Sequence, residues 1–226
     1  MLRGVSNIPI LFGNPLSVPV AVHWKLEEGS GNRLPSAGSS VFTAAGGPLP
    51  GNATGKIGSA VSIASGGRLT TPDAANLRLR LGFSVSFWAY PTTSAASVPL
   101  GKDRSAGREW IFYQQSNQLF FAVFNTVGGF VQPIASGWTA NTWHHAVGTV
   151  DSGGAVRIYI DGVLAAGPTS LSGTPATTTT ELWLGNRQEN DLPWAGQIDE
   201  LSIIHGTLTQ TDVTTLYNNG AGIALY

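Results

Sequence analysis

The stretch that most restricts the possible folds is residues 141–163, NTWHHAVGTVDSGGAVRIYIDGV. Residues 145–150 are rich in β-forming side chains, and residues 155–160 alternate between apolar and polar positions, as a strand with one buried face does. The sequence DSGG at 151–154 predicts a turn between them. The DG pair at 161–162 predicts a type I′ hairpin turn, because that turn needs a positive φ at both central residues. The stretch therefore predicts an antiparallel meander.

The same patterns predict further strands and one helix. Strands are predicted at residues 20–26, 57–64, 83–90, 110–115, 119–125, 130–135, 181–184 and 197–204. Gly66-Gly67 predicts a hairpin turn that returns the chain at residues 68–71. Thr209 is followed three residues later by Asp212, an approximate capping box, and predicts a short C-terminal helix. The pattern is typical of a single all-β, antiparallel sandwich domain.

The composition excludes several classes of function. Charged residues make up 11% of the 226, and the net charge is −1, so the basic surface that nucleic acid requires is missing. The chain has no cysteine, which rules out disulfides, thiol nucleophiles and cysteine metal sites. No apolar run approaches the ~20 residues of a membrane span.

Residues 1–20 form a segment distinct from the domain predicted at residues 21–226. Prolines and asparagines interrupt any continuous apolar centre, so the segment does not have the pattern of a signal peptide. We interpret it as an extended N-terminal arm. It is either a flexible leader or an arm that packs on a neighbouring subunit of a homo-oligomer, of a capsid or of a tail. Its apolar side chains favour the second interpretation, since they would be poorly placed in water: Ile8, Ile10, Leu11, Phe12 and Leu16.

Five motifs stand in an order that resembles a known family. They are HWKLEEGSG (23–31), GKIGSAVSI (55–63), FSVSFWAYP (83–91), NTWHHAV followed by IYIDG, and WAGQIDELSI followed by LTQTDVTTLY. Together they resemble a laminin-G-like domain of the concanavalin A-like lectin/glucanase (jelly-roll) superfamily over residues 21–220. The resemblance implies two stacked antiparallel sheets, one of them concave. It also implies a module that binds carbohydrates, glycoconjugates or protein surfaces.

The resemblance further implies one structural Ca²⁺ between the opening segment and the GQIDE strand. Glu28 and Asp199 are the candidate ligands, because calcium prefers carboxylate and carbonyl oxygens. The sequence departs from the family pattern at residues 34–36, Leu-Pro-Ser, where many members have an aspartate. Alternatively, Glu28 is a solvated turn residue and Asp199 caps a turn.

The sequence gives no pattern for catalysis, and we expect a protein that is not an enzyme. A glycoside hydrolase needs two carboxylates facing each other across a cleft, and the E-x-D-x-x-E strand of the superfamily's enzymes is missing. Asp199 and Glu200 are adjacent, so on a regular strand they point to opposite faces, and the same holds for His144 and His145. There is no G-x-S-x-G nucleophile motif.

Carbohydrate binding calls for aromatic faces with polar neighbours. The aromatic candidates are Trp88, Tyr90, Trp110, Tyr113, Trp183 and Trp194, and the loop at 186–191 supplies polar groups. Any one of these rings could instead pack in the core. Tryptophans 24, 88 and 143 lie in the family's framework motifs, so we interpret them as structural. The preferred ligand-binding candidates are Trp110, Arg187, Asn190 and Trp194.

These observations favour a non-enzymatic binding or structural module. Our leading hypothesis is a phage virion protein, a head-decoration or tail-appendage subunit whose lectin-like sandwich binds glycans or a protein surface. The absence of cysteine, the lack of a signal-peptide pattern and the apolar arm favour it. The alternative is a secreted or cell-surface carbohydrate-binding module of a bacterial protein. A glycoside hydrolase is the least favoured hypothesis.

Overall fold

A computed structural model describes residues 14–78 and 80–225. Within these residues the chain forms sixteen strands, one α-helix and two short 3₁₀ helices. The strands are β1 (Val20–Trp24), β2 (Thr43–Ala44), β3 (Gly51–Thr54), β4 (Ser59–Ile63), β5 (Leu69–Thr71), β6 (Phe83–Pro91), β7 (Ser97–Lys102), β8 (Trp110–Gln115), β9 (Gln118–Phe124), β10 (Phe130–Val131), β11 (Ile134–Ser136), β12 (His144–Val150), β13 (Ala155–Ile160), β14 (Val163–Ser170), β15 (Leu182–Leu184) and β16 (Gly196–Ile204). The helix α1 is Gln210–Tyr217, and the 3₁₀ helices are Ala75–Leu77 and Asn218–Gly220.

The strands form two eight-stranded sheets in which every pairing is antiparallel. The first sheet has the order β14-β13-β12-β6-β16-β4-β3, with β1 paired to β16. The second has the order β10-β9-β8-β7-β15-β5-β2, with β11 paired to β9. The predicted all-β, two-sheet jelly-roll sandwich with one short C-terminal helix is therefore confirmed.

The core lies between the two sheets and follows the period-two pattern of the sequence. Along β6, Phe83, Val85, Phe87 and Ala89 face inward and are buried. From the second sheet, Phe112 and Phe121 face inward and stack on each other at 4.5 Å. Gly148 lies opposite these two rings, where a Cβ would come within 2.7 Å of both. A side chain there would push the sheets apart, so the close contact requires glycine.

The central meander has the predicted structure. Strands β12, β13 and β14 pair in sequence order, and Asp161 and Gly162 both have positive φ, 52° and 84°. The prediction at Gly66-Gly67 was wrong. β4 belongs to the first sheet and β5 to the second, so this turn carries the chain from one sheet to the other.

The outer face of the first sheet is covered by the chain itself. Helix α1 begins with the predicted capping box, in which Thr209 and Asp212 exchange hydrogen bonds. A second apolar cluster holds the helix on the sheet: Leu16, Val147, Tyr159, Ile204, Leu208, Val213, Leu216 and Leu225. No helix in the described residues is long and apolar enough to cross a membrane.

The last part of the N-terminal arm contributes to this cover. Leu16 is buried against the protein's own helix region, and Ser17 donates hydrogen bonds from its N and Oγ to the Asp212 carboxylate, at 2.9 and 2.7 Å. For Leu16, the prediction of packing on a neighbouring subunit is corrected, because its partners lie in the same chain. The rest of the apolar arm, at residues 8–12, lies outside the described residues.

Candidate functional site

Two of the four predicted ligand-binding residues are core residues. Trp110 faces Phe112 and Phe121 between the sheets and is 1% exposed. Trp194 is fully buried, and its Nε1 donates a hydrogen bond to Gln114 Oε1 at 2.8 Å. Neither ring offers a face to solvent. The prediction that they stack on a ligand is therefore corrected, since their surfaces are already used by the core.

The other two predicted residues lie together in the loop at residues 186–192. The Arg187 guanidinium forms a fork on Asp191, with Nε–Oδ1 and Nη2–Oδ2 distances of 2.7 and 2.6 Å. Its Nη1 lies 3.3 Å from Asp103 Oδ2. Asn190 Oδ1 accepts hydrogen bonds from Asn186 Nδ2 at 2.8 Å and from the Arg68 guanidinium. These contacts hold the loop beside the outer face of the second sheet.

An aromatic surface lies on that outer face, on β8, β9 and β10. Tyr113 faces Phe120 across the β8–β9 pair, with ring centroids 5.2 Å apart, and Phe120 faces Ile134 on β11. Phe124 faces Phe130, with ring centroids 5.3 Å apart. We call these five residues the outer aromatic face. Phe130 is 57% exposed and Ile134 48% exposed, whereas Tyr113 and Phe120 are half-buried.

Charged and aromatic groups border this face. The guanidinium of Arg108 lies 4.1 Å from the centre of the Phe124 ring and is hydrogen-bonded to Asp103. Across the sheet, the Arg68 guanidinium lies 5.8 Å from the centre of the Trp183 ring. The sequence named Tyr113 as an aromatic candidate, but it missed Phe120 and Phe130. The pattern of β8 and β9 did not indicate which face of the sheet is open, because large apolar side chains occur on both sides.

The two proposed calcium ligands do not form a calcium site. Glu28 borders a surface cleft of about 310 Å³, and its Oε1 accepts a hydrogen bond from the Leu34 N at 2.6 Å. Asp199 is fully buried, and its Oδ2 accepts a hydrogen bond from the Ile57 N at 2.9 Å. Burial, followed by the nearby charge of Glu200, raises the pKa of Asp199 to about 8.

Calcium requires several charged or carbonyl oxygens in one place. Within residues 14–78 and 80–225, no group of three or more histidine or acidic side chains is placed to hold a metal. The donor set therefore does not fit a calcium ion.

Asp199 and Glu200 are not on opposite faces, contrary to our prediction. The register between β16 and β6 shifts between Asp199 and Ser202, and Glu200 has a φ of 50°. This bulge gives two residues of β16 for one of β6. Asp199 faces Trp88, and Glu200 reaches His23 on the same outer side of the first sheet.

The bulge also places a serine, a histidine and a glutamate in a row. Ser202 Oγ lies 2.8 Å from His23 Nδ1, and His23 Nε2 lies 2.9 Å from Glu200 Oε2. All three are buried, and residues of α1 and of the C-terminal segment line the small cavity beside them, which measures about 10 Å³. Such a cavity has room for about one water molecule and not for a substrate. The arrangement therefore lacks the accessible nucleophile that hydrolysis requires.

The fold defines the chain as a lectin-type β-sandwich. The family model described as the concanavalin A-like lectin/glucanases superfamily, of the laminin-G type, matches residues 64–214, and the chain belongs to this family. The predicted resemblance is thereby confirmed. A comparison with curated proteins gives no match.

Several solved structures share the fold. Domain 4 of AbnA, a GH43 extracellular arabinanase from Geobacillus stearothermophilus solved with arabinotriose, has a TM-score of 0.64 and 24% identity, covering 87% of this chain and 97% of that domain. The binding domain of Paraclostridial Mosquitocidal Protein 1 has a TM-score of 0.72 and 13% identity, covering 89% of this chain and 52% of that chain. The ligand-binding domain of botulinum neurotoxin serotype D, solved with N-acetylneuraminic acid, has a TM-score of 0.70 and 13% identity, covering 88% of this chain and 50% of that one. The chain thus spans about half the length of these toxin domains.

Proposed function

We propose that the chain is a non-enzymatic carbohydrate-binding module and that the outer aromatic face holds the ligand. The observation that carries this proposal is the cluster of partly exposed rings on β8, β9 and β10. An antiparallel sandwich needs to bury only the inner faces of its sheets, so the outer faces can be polar. Here the outer face of the second sheet carries Tyr113, Phe120 and Phe130.

Aromatic rings in this position suit a saccharide. One side of a pyranose or furanose ring exposes mainly C–H groups, which pack on an aromatic face, while the hydroxyl groups at its edge find polar partners. Binding sites commonly combine such an apolar floor with a few polar groups. The exposed Gln115 and the half-buried Gln118 pair at the β8–β9 hairpin and lie at one end of the face.

The similar structures support the same class of ligand. Domain 4 of AbnA was solved with arabinotriose and the serotype D domain with N-acetylneuraminic acid, so this sandwich serves saccharide binding in other proteins. Both are less than 25% identical to this chain, so they support the fold and the ligand class and not the position of the site.

The proposal is tested with a glycan array followed by titration calorimetry on the best ligand. We expect Phe130→Ala and Phe120→Ala each to weaken binding at least about fivefold, the loss that about 1 kcal/mol produces. Val163→Ala is the matched control, because Val163 is 62% exposed on the other sheet. An array without hits, or affinity that is unchanged in both phenylalanine variants, would refute the proposal.

Within this function, we keep the virion as the proposed location, with a bacterial secreted or cell-surface module as the alternative. The support comes from the sequence: a cysteine-free sandwich and an apolar arm at residues 1–20. Mass spectrometry of purified virions from the source would detect the chain in the first case and miss it in the second.

A further inference from the structure

Arg187, in the loop at 186–192, already forms hydrogen bonds with carboxylates of the chain through all three of its guanidinium nitrogens. A guanidinium recognises a carboxylate ligand best through two parallel N–H groups. Arg187 already uses Nε and Nη2 on Asp191 and Nη1 on Asp103. These contacts raise the pKa of Arg187 above its ordinary value, chiefly through the hydrogen bonds that it donates to Asp191. The cation is therefore neutralised before any ligand arrives.

The two other guanidiniums that border the face are also engaged. Arg108 donates from Nε and Nη2 to the two oxygens of Asp103, at 2.6 and 3.3 Å. Arg68 donates from Nε to the Ala45 carbonyl at 3.1 Å and from Nη1 to Asn190 Oδ1. Asp103, which is fully buried, thus serves both Arg108 and Arg187.

The charges around the face balance. The arginines of this side and its loops are Arg68, Arg104, Arg108 and Arg187, and the carboxylates are Asp103, Glu181, Glu189 and Asp191. Two cations of this set have no carboxylate partner among the described residues: Arg104, which is exposed on the loop between β7 and β8, and Arg68, which donates to the neutral oxygens of Ala45 and Asn190. The ring faces add a further effect, because the face of an aromatic ring carries the negative part of its quadrupole and disfavours an anion.

We propose that the outer aromatic face selects uncharged saccharides and discriminates against glycans that end in a carboxylate such as N-acetylneuraminic acid. This inference rests on the proposed function, and it names the ligand class for the same site. An acidic sugar could pair with Arg187 or Arg108 only by displacing the carboxylate of Asp191 or Asp103 that each guanidinium already holds. A neutral sugar needs only the ring faces and neutral hydrogen-bonding groups.

The test uses an array with matched pairs of oligosaccharides, each printed neutral and capped with N-acetylneuraminic acid, together with arabinotriose. We expect the hits to fall on neutral members, with the capped partner at least about tenfold weaker. Equal or stronger binding of the capped members overturns the inference and leaves the proposed function standing. An array with no hits refutes the proposed function itself, and the inference falls with it.

A pair of variants tests the physical cause. Asp191→Asn removes the charge that occupies Arg187, so we expect the capped glycans to gain about tenfold relative to their neutral partners. Asp151→Asn is the matched control. It frees Arg157, which is bonded to Asp151 at 2.9 Å on the first sheet, away from the proposed site. An unchanged preference in Asp191→Asn, or the same change in the control, contradicts the explanation. Circular dichroism confirms that both variants are folded.

Discussion

Asp199 makes the stability of this domain depend on pH in an unusual direction. The carboxyl group is fully buried beside Trp88, and its Oδ1 has no hydrogen-bond partner in the described residues. Burial raises its pKa to about 8, and the charge of Glu200 acts in the same sense. At neutral pH the folded protein therefore holds a proton on Asp199 that the unfolded chain releases.

The sign follows from proton linkage. Between the unfolded pKa of 3.8 and the folded pKa of about 8, the folded state binds one more proton at Asp199 than the unfolded state does. The free energy of unfolding therefore falls as the pH rises, by at most about 1.4 kcal/mol per pH unit. Over the whole window the effect amounts to roughly 6 kcal/mol, comparable with the total stability of a typical domain.

At lower pH, His145 makes the free energy of unfolding rise with pH, which is the opposite of the effect of Asp199. Complete burial lowers its pKa from 6.5 to about 3, so below pH 6.5 the unfolded chain binds a proton that the folded protein does not. Stability from this group is present above 6.5 and is lost as the pH falls toward 3. The two slopes largely cancel between pH 4 and 6.5, and Asp199 acts alone between 6.5 and 8.

The test compares the protein with Asp199→Asn by urea unfolding between pH 6.5 and 8.5. Asparagine keeps an oxygen acceptor for the Ile57 N and cannot ionise. We expect the variant's advantage in unfolding free energy to grow by about 1 kcal/mol per pH unit up to pH 8 and then to level off.

Asp151→Asn is the control. The pKa of Asp151 lies below its ordinary value. Partial burial acts to raise this pKa, but the hydrogen bond from Arg157 and those from the backbone lower it by more. Its carboxylate is therefore ionised in both states throughout this range. Parallel pH profiles for the protein and Asp199→Asn would refute the reasoning.

Three further changes probe packing, capping and a buried ion pair, all by urea unfolding. Gly148→Ala brings a Cβ within 2.7 Å of two phenylalanine rings and should lower the free energy of unfolding by about 1–3 kcal/mol. Gly51→Ala places its Cβ in open space and should lower it far less. Thr209→Ala removes the helix cap and should cost about 1 kcal/mol, with serine at that position restoring most of it. Glu109→Ala removes one of the two carboxylates that pair with the fully buried Lys102, at 3.0 Å, and leaves Asp73 paired with it at 2.8 Å. The free energy of unfolding should therefore fall by about 1–3 kcal/mol, and an unchanged value would contradict the description of the pair.

Local patterns in the sequence predicted the parts of the fold that depend on neighbouring residues. The hairpin at Asp161-Gly162 follows from the backbone angles that the turn requires, and the helix start follows from Thr209 and Asp212. The turn at Gly66-Gly67 shows the limit of such reasoning. Two glycines permit a tight reversal, but the choice between pairing within a sheet and crossing to the other sheet depends on distant strands.

The candidate site was harder to predict for the same reason. In β8, WIFYQQ, large apolar side chains occur at both alternating positions, so the pattern does not decide whether Trp110 or Tyr113 faces outward. The bulge at Glu200 is equally hidden, since it is defined by the register against β6. One extra residue in that register changed both the direction of Glu200 and the expected relation between the two acids.

The chain covers the outer face of the first sheet but leaves part of the outer face of the second sheet exposed. This difference is the strongest reason to place a ligand on the second sheet. On the first sheet, Leu16, Leu216 and Leu225 bury the outward apolar side chains. On the second sheet, the loops shield the middle of the face through Leu192 and Ala176, but Phe130 remains more than half exposed. Exposed aromatic side chains that are clustered on one face lose apolar contact with solvent only when something else covers them. The cover that we propose is a sugar ring, whose C–H groups would pack on these aromatic side chains.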